Sequence, residues 1–260
     1  MTLIALSYRG RQQLDVWLVL LQKEFTSRYK RSLIGYAWSV LNPLAFTFVL
    51  WIAFKGILRF DTPHFALFLA SGFFLWHSFS NSAVIGSSIF LSNASLLKKV
   101  RFQRWILVAA FVANEMVHLS LALPILLGLM IFSDVPLHWT LLWALPLVLL
   151  TQICICLPIA LLTASLNAVF RDLERLVGIG VQFLFYLTPI VYPLALIGES
   201  RRQLALMNPM ACQVINLRSV IMDGTFSWEV YGYGMTGALL LAGLSMLVYR
   251  RVVRVLPEVL

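Results

Sequence analysis

Six apolar stretches, 33–58, 65–91, 105–132, 139–169, 176–197 and 228–249, are each long enough to cross a bilayer and are separated by short polar segments. A hydrocarbon layer about 30 Å thick is crossed by about 20 helical residues. Lipid offers no water to a free backbone amide or carbonyl, so such runs must satisfy their own backbone as helices. The chain therefore reads as an all-α polytopic membrane protein. Its composition agrees: 60% hydrophobic and 12% charged, with a mean hydropathy of +0.87, leaves too little polar surface for a water-soluble domain of 260 residues.

The segments outside these six divide the chain further. Residues 1–32 form an N-terminal segment, 33–254 the transmembrane domain and 255–260 a tail. No short apolar stretch with a cleavage site precedes the first run, so no signal peptide is expected. Over 11–31, Leu14, Trp17, Leu18, Leu21, Phe25 and Tyr29 recur every three or four residues, with Gln22, Lys23, Thr26, Ser27 and Lys30 on other faces. That pattern predicts an amphipathic interface helix, its basic end Arg28-Tyr29-Lys30-Arg31 lying among headgroups. Between the fifth and sixth spans, 198–227 is too polar for a span but holds the apolar run 204–217, broken at Asn208-Pro209. A pair of short re-entrant helices facing outward fits this; a plain external loop is the alternative. Fifteen of the 20 Lys and Arg fall on one side if both termini are cytoplasmic, leaving Lys55, Arg59, Arg201, Arg202 and Arg218 on or near the other. The positive-inside bias thus predicts a multi-pass protein with both termini in the cytoplasm.

The formal charge of +9 comes in clusters between apolar runs, the mark of topology rather than of nucleic-acid binding. No Gly-x-x-x-x-Gly-Lys-Ser/Thr phosphate cradle is present, so any ATP must be bound by another polypeptide. Gly232-x-Gly234-x-x-Gly237 matches a dinucleotide fingerprint by letter but opens a membrane helix; with Ala238 and Ala242 it reads as a surface for close helix packing. His64, His77, His118 and His138 are scattered, and Cys154, Cys156 and Cys212 make no metal motif, so no metal site and no catalytic site is expected. Glu115, one helical turn from His118 and beside Asn114, lies about ten residues into the third span. An ionisable group there reads either as a proton relay or as a polar lock between helices. Aromatics crowd the first span (Tyr36, Trp38, Phe46, Phe48, Trp51) and the fifth (Phe183, Phe185, Tyr186, Tyr192). Such rings can slide along the apolar faces of sugars or anchor the helices at the interface. The basic segment 92–104 and the corner Arg171-Asp172-Leu173-Glu174-Arg175 are cytoplasmic turns that could dock on a soluble partner.

Several of these segments together resemble one family. Arg28-Tyr29-Lys30-Arg31-Ser32-Leu33-Ile34-Gly35-Tyr36-Ala37-Trp38-Ser39-Val40-Leu41-Asn42-Pro43 is similar to the start of the first span in type-2 ABC exporter permeases for O-antigen, capsule and teichoic acid. Leu97-Lys98-Lys99-Val100-Arg101-Phe102, Asn167-Ala168-Val169-Phe170-Arg171-Asp172, Leu187-Thr188-Pro189-Ile190-Val191-Tyr192-Pro193 and Leu206-Met207-Asn208-Pro209 follow in the family's order. The resemblance implies a homodimer in the bacterial inner membrane with two separate nucleotide-binding ATPase subunits, which bind the ATP and Mg, no cofactor being held by this chain. It implies a polyprenyl-diphosphate-linked polysaccharide as cargo, a continuous channel at the dimer interface and outward gate helices within 198–227; Tyr36, Trp38, Trp51, Phe183, Tyr186 and Tyr192 are the aromatics that could line that channel. It implies that Lys98, Lys99, Arg101, Phe102 and Arg104, with Arg171 and Asp172, couple the permease to its ATPase. Arg28, Tyr29, Lys30 and Arg31 would stand at the cytoplasmic gate, where their charge suits a lipid diphosphate. Phe102-Gln103-Arg104 lacks the proline often found in that family's coupling segment. A proton-driven secondary transporter using Glu115 and His118 is the rival reading from the residues themselves; the absence of an evident internal repeat weighs against it.

Overall fold

Two helices of the computed structural model, α6 (Trp105–Phe132) and α7 (Thr140–Val169), are long and apolar enough by length and composition alone to cross a membrane. The structure describes residues 2–29, 37–57, 63–100, 102–194 and 198–259, and among them every regular element is helical. The other elements are α1 (Thr2–Tyr29), α2 (Trp38–Trp51, continued by a π turn Ile52–Ile57), α3 (Phe65–Ser87), α4 (Ile89–Ser92), α5 (Ala94–Lys99), α8 (Leu173–Leu187), α9 (Glu199–Leu206), α10 (Pro209–Arg218, continued by a π turn Ser219–Asp223) and α11 (Trp228–Val259).

The centre is α3, which packs against α2, α6, α7, α8 and α10. Seventeen of its 23 residues are buried, and the small polar Ser71, Ser78, Ser82 and Ser87 are among them, so its sequence shows no single apolar stripe. Two glycines let its neighbours close in. A Cβ on Gly86 would stand 3.1 Å from the Cβ of Ala160 on α7, and one on Gly72 would stand 2.8 Å from Nη2 of Arg218 on α10. On α11, Gly234 and Gly237 do the same for α10: an added Cβ would lie 3.0 Å from Cys212 Cβ and 3.3 Å from Pro209 Cβ respectively, while Ala238 is fully buried.

Side-chain bonds define two ends of the bundle. At one, Arg104 Nη1 at the start of α6 donates to the carbonyl of Val253 on α11 (2.6 Å), and Asn167 near the end of α7 donates to Ser87 O (3.1 Å) while accepting from Glu174 N (3.1 Å). Lys23 of α1 donates to Asn93, the residue between α4 and α5. We call this the basic end, because Lys98, Lys99, Arg171, Arg175, Arg250, Arg251 and Arg254 gather there on exposed positions. At the opposite end Thr140 Oγ1 donates to Gly224 O (2.6 Å), and Asn216 and Ser227 exchange two bonds. Trp143, Phe226 and Trp228 stack there, with centroids 4.9–5.8 Å apart. Aromatic belts of this kind sit at headgroup level in membrane proteins.

The helix ends correct several sequence boundaries. The fifth apolar run was expected over 176–197, but α8 stops at Leu187. The residue before a proline is forced out of the helical region, and Thr188, before Pro189, is extended at φ −92, ψ 133. The second run breaks at Ser88 instead of continuing to 91, and α11 runs ten residues past the expected 249. In α1 the packed face differs from the one the periodicity suggests. Leu20 is buried and Val16, Trp17 and Leu21 pack against the core, whereas Leu14 and Leu18 are exposed. Between α8 and α11 the chain forms the two short helices α9 and α10, with the break at Asn208 that the sequence marked; Asn208 Oδ1 accepts from Met210 N (3.0 Å) to cap α10, whose first residue is Pro209.

Asn208 has a second bond, from Nδ2 to Thr188 Oγ1 (2.9 Å), tying α10 to the end of α8. Asn208→Ala removes both and is expected to destabilise the fold by about 1–2 kcal/mol, read as a lower melting temperature of the detergent-purified protein. An unchanged melting curve would show that the cap is dispensable.

Candidate functional site: an aromatic groove along α2, α3 and α8

Three helices enclose a cavity of about 710 Å³. Phe46, Leu50 and Phe54 enter from α2 and the π turn, Phe73, Trp76, Ser80 and Val84 from α3, and Gly178, Val181, Gln182, Phe185 and Tyr186 from α8. Val191 and Tyr192, in the turn after α8, complete it. The i, i+3, i+4 steps place each set on one face of its helix, so the cavity is a groove that runs along the helices, from Val84 and Gly178 towards the basic end to Phe54, Val191 and Tyr192 at the other.

Its wall is a chain of rings. Phe46 stacks on Phe73 (5.1 Å between centroids), Phe185 meets Phe73 (6.0 Å) and Trp76 (5.6 Å) edge-on, and Tyr186 meets Phe185 (5.4 Å). Tyr192 Oη donates to Tyr186 O (3.0 Å), which fixes the phenol over the far mouth. Ring faces and edges with a few polar groups, here Ser80 and Gln182, suit a ligand with alternating apolar and hydroxyl surfaces and let it slide.

A second, more apolar cavity of about 1100 Å³ lies behind the same turn, between α7, α8, α9–α10 and α11; Tyr192 lines both. Tyr192 and the end of α8, with Leu184 and Leu187 on one side and Phe185 and Tyr186 on the other, thus stand between them.

Of the aromatics named from sequence, Phe46, Phe185, Tyr186 and Tyr192 line the groove, while Trp38, Trp51 and Phe183 are exposed and stand apart from its lining. Tyr36 lies outside the described residues. Phe54, Phe73 and Trp76 are the aromatic additions that sequence reading missed. Among the coupling candidates, Lys98 and Lys99 are exposed at the end of α5, Phe102 is half-buried against the core, Arg104 holds Val253, and Arg171 and Asp172 are exposed in the turn before α8. Arg101, Lys30 and Arg31 lie outside the described residues, as do the side chains of Arg28 and Tyr29.

Glu115 is 1% exposed and accepts a bond from Asn81 Nδ2 on α3 (3.0 Å); Asn81 also meets His77 Nε2 (3.3 Å). His118 is buried one turn further along α6. Ser78 and Gln152 both reach the thiol of Cys156, and Gln152 donates to Leu75 O (3.0 Å). These groups join α3, α6 and α7 inside the subunit, beside the groove and apart from its lining. Arg218, counted from sequence among charges on the far side, is instead buried.

Residues 15–222 match the family model of the ABC-2 type transporter. The chain is 33% identical over 228 residues, 87% of each chain, to the O-antigen export system permease protein RfbA of Klebsiella pneumoniae. It is 32% identical over 219 residues to the protein of the same name from Myxococcus xanthus, covering 83% of this chain and 82% of that one. With the polysialic acid transport protein KpsM of Escherichia coli it shares 24% identity over 217 residues, 80% and 81% of the two chains. The match covers every residue that lines the groove, and on it this chain belongs to the ABC-2 type transporter family of membrane proteins.

Proposed function

We propose that this chain is the permease subunit of an ATP-binding cassette exporter that carries a polyprenyl-diphosphate-linked polysaccharide, the O-antigen of lipopolysaccharide, out across the bacterial inner membrane. The observation that carries the reading is the ring-lined groove running along α2, α3 and α8 in a chain related over most of its length to O-antigen export permeases. Two copies of the chain, facing each other across this groove, would enclose a path for a long glycan. In this reading the six spans are α2 with its π turn, α3, α6, α7, α8 with the turn that follows it, and α11, and α9 and α10 dip back into the membrane from the outer side. The basic end is cytoplasmic, as the clustering of Lys and Arg there supports.

The engine is a separate pair of ATPase subunits, which hold the ATP and Mg. Their docking surface is the corner formed by α4, α5 and 100–104, with Arg171 and Asp172 beside it. This corner is wired to the rest of the bundle. Lys23 ties α1 to Asn93, and Arg104 ties the start of α6 to the end of α11, so a pull on α5 is shared by three helices. For the pull to do work, nucleotide must bind one arrangement of the assembly better than the other. Arg28, Lys30 and Arg31 would draw the lipid diphosphate to the cytoplasmic entrance by charge.

Glu115 supports a second reading, in which protons drive transport through a buried carboxylate. Its bond from Asn81 is one that a glutamine oxygen can also accept, which favours a polar lock between α3 and α6. Glu115→Gln is therefore expected to leave ATP-driven export intact; export lost with partner ATPase activity retained would establish proton coupling instead. The charge reversal Lys98→Glu with Lys99→Glu is expected to abolish export and detach the ATPase on co-purification while the permease stays folded. Undiminished export would move the docking surface elsewhere. The decisive test is reconstitution of the chain in vesicles with its partner ATPase: ATP-dependent movement of lipid-linked polysaccharide is expected. Nucleotide hydrolysis by the chain alone, or transport without the ATPase, would defeat the reading.

A further inference from the structure

Arg218 has no part in the cycle just described, yet its guanidinium is only 7% exposed and makes four bonds, all to backbone carbonyls. Nε (3.2 Å) and Nη2 (3.0 Å) donate to Phe68 O on α3, Nη1 donates to Pro189 O, and Nη2 donates to Ile190 O as well. The Cζ atom stands 3.5 Å from the centroid of the Phe68 ring. Among the described residues no carboxylate forms an ion pair with it. A charge buried this way is held by dipoles and a ring face alone, so its position depends on those carbonyls staying where they are.

The four bonds fall into two sets. One set, with the ring contact, clamps α10 to α3. The other grips the turn after α8, whose backbone has left the helix at Thr188. That turn carries Val191 and Tyr192, which with Phe54 line the far mouth of the aromatic groove, and Tyr192 lines the second cavity as well. We propose that Arg218 is a positioning residue that holds this mouth shut, and that the mouth opens when the guanidinium releases Pro189 and Ile190 while keeping Phe68. The proposal rests on reading the groove as the export path.

The fork geometry is what allows one side chain to serve both sets; a lysine ammonium is a point charge that can stay over Phe68 but cannot span to both carbonyls of the turn. Gly72 gives an independent handle. An added Cβ there would stand 2.8 Å from Nη2 and 3.4 Å from Ile190 Cγ2, displacing the fork without removing it.

The test uses the full chain assembled with its ATPase in vesicles, without ATP and with Cys154, Cys156 and Cys212 changed to alanine. Ser80→Cys, in the groove lining, reports opening through its rate of labelling by a charged, membrane-impermeant maleimide added on the side away from the ATPase. Arg218→Lys and Gly72→Ala are each expected to raise that rate about tenfold or more, the shift that loss of one buried charge-assisted bond produces. A fully buried reporter, Ser82→Cys, should stay unlabelled in both. Unchanged Ser80→Cys labelling overturns the proposal, and so does a parallel rise at Ser82→Cys, which would mean general loosening. Failure of both variants to assemble would likewise overturn it, leaving Arg218 a folding role only. If the unmodified complex moves no polysaccharide with ATP, the exporter reading falls; the labelling comparison, which needs neither ATP nor cargo, still decides whether Arg218 holds the mouth.

Discussion

A helix that stops inside a lipid-embedded bundle leaves amide and carbonyl groups that water cannot reach, and each must find a partner within the protein. This requirement explains where the buried polar side chains of the chain sit. Thr188, at the end of α8, is met by Asn208, which also caps α10. The carbonyls of Pro189 and Ile190, freed by the same stop, are taken by Arg218. Asn167 serves the end of α3 and the start of α8 together, and Asn216 pairs both backbone groups of Ser227 before α11. Gln152 and Gln213 reach carbonyls of neighbouring helices, Leu75 O and Val148 O. Arg218, Gln152, Gln213 and the Asn167–Ser87 bond join elements far apart in sequence, so the breaks that weaken individual helices also fasten the bundle.

The arrangement divides the molecule by stiffness. Around α3, glycine contacts and buried rings leave no room for sliding, because a packed core resists small displacements. The two ends are different. The basic end is held by single long side chains, Lys23 and Arg104, and the far end by a turn hung on one guanidinium. A rigid centre with hinged ends passes a pull at one face to the other without unfolding between them.

Much of the fold was legible in the sequence. Unbroken apolar runs marked α6 and α7 almost to the residue, and Asn208-Pro209 marked the break between α9 and α10 because proline cannot extend a helix it does not start. The end of α8 was misplaced, since hydropathy continues past Thr188 while the backbone, constrained by Pro189, does not. Faces were harder to read than boundaries. In water an apolar stripe points to the core, but in lipid Leu14 and Leu18 cost nothing outside, and Val16, Trp17 and Leu20 form the packed side of α1 instead. For the same reason Phe73 and Trp76 gave no hint that they face a cavity. Arg218 was missed because a lone arginine in a loop reads as a solvated charge; only the carbonyls of Phe68, Pro189 and Ile190, distant in sequence, reveal its burial.

The length of α11 carries one more implication. Its 32 residues would extend about 48 Å if straight, well beyond about 30 Å of hydrocarbon. In the exporter proposed above, where α11 is a span, the surplus would project past the headgroups with Arg250, Arg251 and Arg254, and it is this stretch that Arg104 grips at Val253. A thicker bilayer would then draw part of it inward and a thinner one would release it, changing the pull on α6. Lipid thickness would thus act on such a protein through a helix longer than the layer it crosses.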